Sequence, residues 1–306
     1  MTGGSASAIL ERLAAALEGR YRIEKEAGRG AMARVYQATA VDSGRPVAIK
    51  LLPPETATAA NAERFLREIA LTRTLDHPNI LPLIDSGLTD GMSWYVMPFV
   101  SGETVRTAIT ARGLMPIAEA LGIITQAGAA LSYAHARGII HRDLKPENIM
   151  IHEGRVLVVD FGLARVLDLQ SNLTGTGMPL GTPAYMSPEQ ITGAADVDAR
   201  ADLYGLACVA YEMLTGRLPF VGSSVVQLLQ GHLSVPPDPP SRHRKSIGPA
   251  IDAALLKALG KTASARQATV DQFVAELVAE APPPGADPTP PAPRTSGLFG
   301  KLFGNR

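Results

Sequence analysis

The chain has 306 residues, 46% of them apolar, enough for a substantial core and too many for a chain disordered throughout. Lysine plus arginine equals aspartate plus glutamate at 29 each, so net charge gives no argument for a nucleic-acid or anionic-membrane partner. The single cysteine, Cys208, excludes an internal disulfide and fits a reducing compartment, where it reads as a small buried hydrophobe rather than a redox centre.

Residues 1–20 form an extension whose apolar spacing over 5–18 predicts an amphipathic helix. Short extended runs follow at 35–40 and 46–51, divided by the turn Asp42-Ser43-Gly44. Helical period returns over 59–75 and stops at Pro78. Two more strands are expected at 80–84 and 93–100, joined through Thr89-Asp90-Gly91. After Ser101-Gly102, Ala/Leu-rich helical patterns run to about residue 280, interrupted at 138–181 by loops and short strands. The expected class is α+β, with a small antiparallel-sheet lobe (21–100) preceding a larger helical lobe (101–280).

The stretch 281–293 is proline-rich and reads as an extended linker. In the tail beyond it, Leu298, Phe299, Leu302 and Phe303 share one helical face, a candidate for weak docking on a protein or membrane surface. Residues 1–9 lack the basic start and apolar stretch of a secretion signal, and Glu119 and Gln126 interrupt the most apolar segment, 114–134. The expectation is a cytoplasmic protein with no transmembrane span.

Chemistry is concentrated at four places. Ala27-Gly28-Arg29-Gly30-Ala31-Met32-Ala33-Arg34-Val35 lies between extended runs, and its glycines let backbone N–H groups approach phosphate. Lys50 closes the strand Val47-Ala48-Ile49-Lys50, where an ammonium facing a cleft needs anions. Glu68, on the following helix, is the candidate carboxylate. His141-Arg142-Asp143-Leu144-Lys145-Pro146-Glu147-Asn148 and Asp160-Phe161-Gly162 then bring Asp143, Asn148 and Asp160 together as hard oxygen groups suited to Mg²⁺ and phosphate. Seven of these letters at such fixed places have chance odds on the order of 10⁻⁹ per start position.

In this order the segments resemble the protein-kinase signature set, with Ser187-Pro188-Glu189 as a variant of its last element. Gly181-Thr182-Pro183-Ala184-Tyr185-Met186-Ser187-Pro188-Glu189-Gln190 and Tyr211-Glu212-Met213-Leu214-Thr215-Gly216-Arg217-Leu218-Pro219-Phe220 are similar to the bacterial eukaryotic-like (Hanks-type) serine/threonine kinases. The resemblance covers about 21–280 and implies the bilobal kinase fold, ATP and Mg²⁺ (Mn²⁺ as an alternative) as cofactors, and proteins carrying Ser or Thr as substrates.

Residue by residue, it implies that Lys50 contacts the α/β-phosphates and pairs with Glu68, and that Asp143 accepts the substrate hydroxyl's proton. It gives Asn148 and Asp160 the metal and Lys145 the γ-phosphate, the last a mark of Ser/Thr specificity. Val35, Ala48 and Met150 would wall the adenine, with Met97 behind it and the backbone of 98–100, ending in Val100, at its edge. Arg142 would receive a phosphate placed on Thr174 or Thr176 by autophosphorylation, for which a homodimer is one route. Thr182 would face the substrate, Glu189 would pair with Arg266, and Asp202 would brace the catalytic loop.

Departures from the pattern are Ala33 for the third glycine, Pro98 for an acidic hinge residue, and Thr262-Ala263-Ser264-Ala265, which lacks the acidic-proline pattern usual before Arg266. A pseudokinase would typically lack one of Lys50, Asp143 or Asp160. A small-molecule phosphotransferase would typically lack the segment ending in Pro188-Glu189. All of these are present.

Overall fold

The computed structural model describes residues 3–29, 33–52, 59–89, 91–161 and 183–279. Helix α1 (Gly3–Leu17) precedes a five-stranded antiparallel sheet built from β1 (Tyr21–Arg29), β2 (Arg34–Ala40), β3 (Pro46–Leu51), β4 (Asp85–Thr89) and β5 (Met92–Pro98). Their spatial order is β1-β2-β3-β5-β4, with α2 (Ala59–Thr72) inserted between β3 and β4.

Strand pairing decides what each face of the sheet does. Val35 lies opposite Lys50, Ala48 opposite Met97, and Lys50 opposite Tyr95, so these side chains leave the sheet on one face. The alternate residues Tyr36, Ala38, Val47, Ile49, Trp94 and Val96 form the other face, which α1 covers with Leu13 and Leu17. Bulges between Ile23 and Lys25 and between Glu26 and Gly28 interrupt β1 as it approaches the glycine-rich segment.

The strand expected at 80–84 does not form. Pro82 cannot donate to a ladder, and only Ile80 is bridged, in parallel to Val158. Leu81 N donates to Val158 O at 3.0 Å and Ile84 N to Val96 O at 2.8 Å, so the segment ties one lobe to the other before β4 begins.

The second lobe is helical, with a small sheet of β6 (Glu103–Thr104), β7 (Ile149–His152) and β8 (Arg155–Val158) at its upper edge. Its centre is α4 (Ile117–His135) against α6 (Arg200–Thr215), flanked by α8 (Pro249–Ala258) and α9 (Val270–Val278). Almost every residue of α6 is buried, Cys208 among them. Glycine sets two close approaches here. A Cβ on Gly128 would lie 2.6 Å from Val274 Cγ2, and one on Gly205 would lie 3.1 Å from Leu144 O. The second approach lets the loop around Leu144 rest directly on α6. Shorter elements complete the lobe: α3 (Val105–Arg112), α5 (Pro188–Ile191) and α7 (Val225–Ser234). Helix α5 is closed by a capping box between Ser187 and Gln190. No helix among the described residues is long and apolar enough to cross a membrane.

Candidate active site

The site lies where the inner face of the sheet meets the loop between α4 and β7. Met97, Val100 and Met150 gather around Leu81, Leu157 and Val159, a cluster to which both lobes contribute. Ala48, opposite Met97, continues this apolar surface, and Val35 stands across from Lys50. Of the residues expected around adenine, Met97, Val100 and Met150 thus share one cluster with Leu81, Leu157 and Val159. Those three were not legible as site residues, since their place depends on β7–β8 pairing and on the 80–84 connection.

Below this surface the loop that carries Asp143 hangs from one buried carboxylate. Asp202, on α6, accepts the backbone N–H groups of His141 and Arg142, each at 2.7 Å, and lies 2.6 Å from His135 Nε2. Burial raises the Asp202 carboxyl; the hydrogen bond and charge of His135, aided by His141, outweigh it and hold the group below the ordinary range. Arg142 takes φ +67°, a conformation costly for a side-chain-bearing residue. Gln190 Nε2 donates to Arg142 O at 2.6 Å, a second restraint with no local sequence signal.

The loop thus presents Asp143. Lys145 Nζ donates to Asp143 Oδ2 at 2.6 Å, and Asn148 Nδ2 donates to Asp143 O at 2.7 Å and lies 3.1 Å from Oδ2. The Asp143 side chain keeps 31% exposure against 14% for Asp160, so it is the carboxylate an incoming hydroxyl could reach. His141 is buried, with Nε2 2.8 Å from Val159 O and its ring edge-on to Phe161 at 4.8 Å. Val159 N in turn donates to Asn148 O at 3.0 Å, which ties the catalytic loop to the segment carrying Asp160.

Asp160 is also left-handed, with φ +65°. Lys50 Nζ forms an ion pair with its Oδ2, and the Tyr95 hydroxyl donates to its Oδ1 at 2.6 Å. Burial pushes the Asp160 carboxyl up, but the Lys50 charge and the hydrogen bonds from Lys50 and Tyr95 hold it below the ordinary range. Burial, then the Asp160 charge, raise the Tyr95 phenol well above its usual value, so it stays protonated and donates. Lys50 thus pairs with Asp160, and Glu68 sits half-buried on α2. Tyr95 escaped the sequence reading. The only signal was its alternation with Met97, which puts both on the inner face.

Two supporting networks complete the site. Arg266 donates to both oxygens of Glu189, at 2.7 and 2.8 Å, despite the atypical residues before it. Arg106, on α3, bridges Glu147 at 2.8 Å and Glu212 at 2.7 Å, and Tyr185 OH donates to Glu212 Oε2 at 2.5 Å. Gly30, Ala31, Met32, Gly162, Thr174, Thr176, Thr182 and the C-terminal tail lie outside the described residues. Ala27, Gly28, Arg29, Ala33 and Arg34 flank residues 30–32; Ala33 is buried, packing with Phe65 and Tyr95.

A carboxylate at Asp160 and an amide oxygen at Asn148 are hard donors. They suit a small divalent cation that completes its shell with phosphate and water. No group of three or more His, Cys, Asp or Glu that could hold a metal exists among the described residues.

The comparisons with known proteins agree with this geometry. The family model described as protein kinase domain matches residues 21–278. Serine/threonine-protein kinase PknB of Mycobacterium leprae is 39% identical over 268 residues, 86% of this chain and 43% of that protein. PrkC of Bacillus subtilis is 38% identical over 263 residues, 85% of this chain and 40% of that protein. The chain thus spans less than half the length of these two curated relatives. The PknI kinase domain of Mycobacterium tuberculosis superposes with a TM-score of 0.70 at 31% identity, covering 85% of this chain and 96% of that one. With fold, loop geometry and sequence in agreement, the chain belongs to the protein kinase family and is similar to its bacterial serine/threonine members.

Proposed function

We propose that this chain transfers the γ-phosphoryl group of ATP to serine or threonine hydroxyls of proteins, and that residues 21–280 form the catalytic unit between an N-terminal extension and a C-terminal linker and tail. The carrying observation is the pair of carboxylates in one cleft: Asp143, accessible and held by Lys145 and Asn148, and Asp160, sheltered and held by Lys50.

Asp143 orients the substrate hydroxyl and takes its proton as the O–P bond forms. Lys145, already at Asp143, lies near enough to the same centre to offset charge on the transferred group. Lys50 leaves Asp160 for the nucleotide phosphates and Glu68, and this frees a carboxylate oxygen. Asn148 and Asp160 would hold the divalent cation, Mg²⁺ or Mn²⁺, which supplies charge neutralisation at the phosphate oxygens when bound. Val35, Ala48, Met97, Val100 and Met150 enclose the base, and the backbone of 27–35 covers the phosphates. Transfer by such a site is positioning plus electrostatics, so the rigidity given by Asp202 and Gln190 is part of the mechanism.

The same reading assigns Thr174 and Thr176 as autophosphorylation sites, met in trans by a second copy, and Arg142 as the arginine that receives the phosphate. A cytoplasmic setting supplies ATP and keeps Cys208 reduced. The tail face of Leu298, Phe299, Leu302 and Phe303 is a weak docking element. Phosphoamino-acid analysis of a mixed Ser/Thr/Tyr protein substrate tests the hydroxyl class. Phosphoserine and phosphothreonine are the expected products, and a majority of phosphotyrosine contradicts the assignment.

A further inference from the structure

We propose that Tyr95 is a positioning residue for the metal-binding carboxylate of Asp160, a fixed partner that holds one oxygen while Lys50 releases the other. The inference rests on the kinase reading above and adds to it a residue outside the signature set.

The geometry begins in the sheet. Tyr95 on β5 is directly opposite Lys50 on β3, so both side chains rise from the same face and meet at one carboxylate. The phenol takes Oδ1 and the ammonium takes Oδ2. The two partners differ in freedom. Lys50 has a flexible four-carbon stem and can turn to phosphate. Tyr95 is 1% exposed and packed among Ala33, Leu52, Phe65 and Ile69, so its ring cannot follow.

Packing alone does not explain a tyrosine here. The small cavity behind Asp160 is lined by Leu81, Leu83, Met97, Phe161, Thr72 and Tyr95, and phenylalanine would serve as well for filling it. A buried hydroxyl must find a partner, and that of Tyr95 donates to Asp160. The bond is charge-assisted and therefore strong. The Asp160 backbone is left-handed, a conformation that persists only where its surroundings hold it, and this bond is one such restraint. With Oδ1 held, the departure of Lys50 leaves Oδ2 aimed at the cleft, not free to rotate. A hydrogen bond of this kind to a ligating carboxylate commonly changes metal affinity by about 10–100-fold.

The test uses the full chain and Mn²⁺ with ADP as probes. Binding of ADP is measured calorimetrically with EDTA and with Mn²⁺, and bound Mn²⁺ is counted by electron paramagnetic resonance. Tyr95→Phe should bind ADP in EDTA as the wild type does, but its Mn²⁺ dissociation constant in the ADP complex should rise about tenfold. The KM for ATP at saturating metal should move less than the apparent KM for metal. In an Asp160→Asn background, Tyr95→Phe should change Mn²⁺ binding no further. An Mn²⁺ dissociation constant within twofold of wild type overturns the proposal, as does an equal effect in the Asp160→Asn background, which would mark a general packing defect. A wild type that binds no Mn²⁺–ADP removes the kinase reading itself, and the role of Tyr95 with it.

Discussion

Arg266 grips Glu189 through two parallel hydrogen bonds, 2.7 and 2.8 Å long, joining residues 77 positions apart in the chain. The guanidinium is fully buried, stacks over the Tyr204 ring at 4.7 Å, and also donates to Gly260 O and Arg200 O. Burial raises the Glu189 carboxyl, but Arg266 outweighs it and holds the group below the ordinary range. The pair pins the end of the 162–189 segment to the helical lobe, next to Gln190 and hence to Arg142.

Removing one partner of such a pair strands the other. Arg266→Ala should cost about 3–5 kcal/mol, because Glu189 is left buried without its cation. The joint replacement of Arg266 and Glu189 by methionine should recover a large part of that loss. Urea unfolding of the three proteins checks this; equal stabilities for the single variant and wild type would contradict it.

A second prediction concerns pH. His232 is fully buried, with Nδ1 2.9 Å from Tyr204 OH and Lys261 bonded to its backbone carbonyl. Burial, then the Lys261 charge, push its pKa down from 6.5 to about 4. The folded state therefore holds a neutral imidazole where the unfolded chain takes up a proton. Stability from this group is intact above pH 6.5 and declines as the pH falls toward 4. Between pH 7 and 5 the loss should be about 2 kcal/mol. Thermal unfolding across this range should show it, and His232→Asn should flatten that part of the profile.

The N-terminal helix gives a third. Leu13 and Leu17 are fully buried against the outer face of the sheet. Leu13→Ala should destabilise the protein by about 2–5 kcal/mol, whereas Leu66→Ala, at a site 43% exposed, should change it by less than about 0.5 kcal/mol. Parallel denaturation curves for the two variants test whether α1 is an integral layer of the small lobe.

How much of this was legible beforehand follows from the range of the forces involved. Asp143, Asn148 and Asp160 were readable because their spacing is local and their letters are specific. The lobes were readable because hydrophobic period changes at Ser101-Gly102. The 80–84 strand was misread: its apolar run suits a strand, but Pro82 and the need to bridge the lobes prevail. Tyr95 and Gln190 were missed for a shared reason. Each acts through a partner that only the tertiary register brings near, Asp160 for one and Arg142 for the other. The Glu189–Arg266 pair was expected from family resemblance alone, and no local pattern announces a contact over that separation.

The most direct test of the central claim is phosphate transfer by wild type and Asp143→Asn, with Mg-ATP and a generic basic protein, followed by mass spectrometric mapping of sites on the kinase itself. The asparagine keeps the size of the side chain and removes its proton acceptor, so transfer should fall at least about a hundredfold. Phosphate on Thr174 or Thr176 should appear in the wild type alone. Equal transfer by both proteins would contradict the role given to Asp143, and a wild type that binds ATP yet transfers nothing would contradict the assignment as an active kinase.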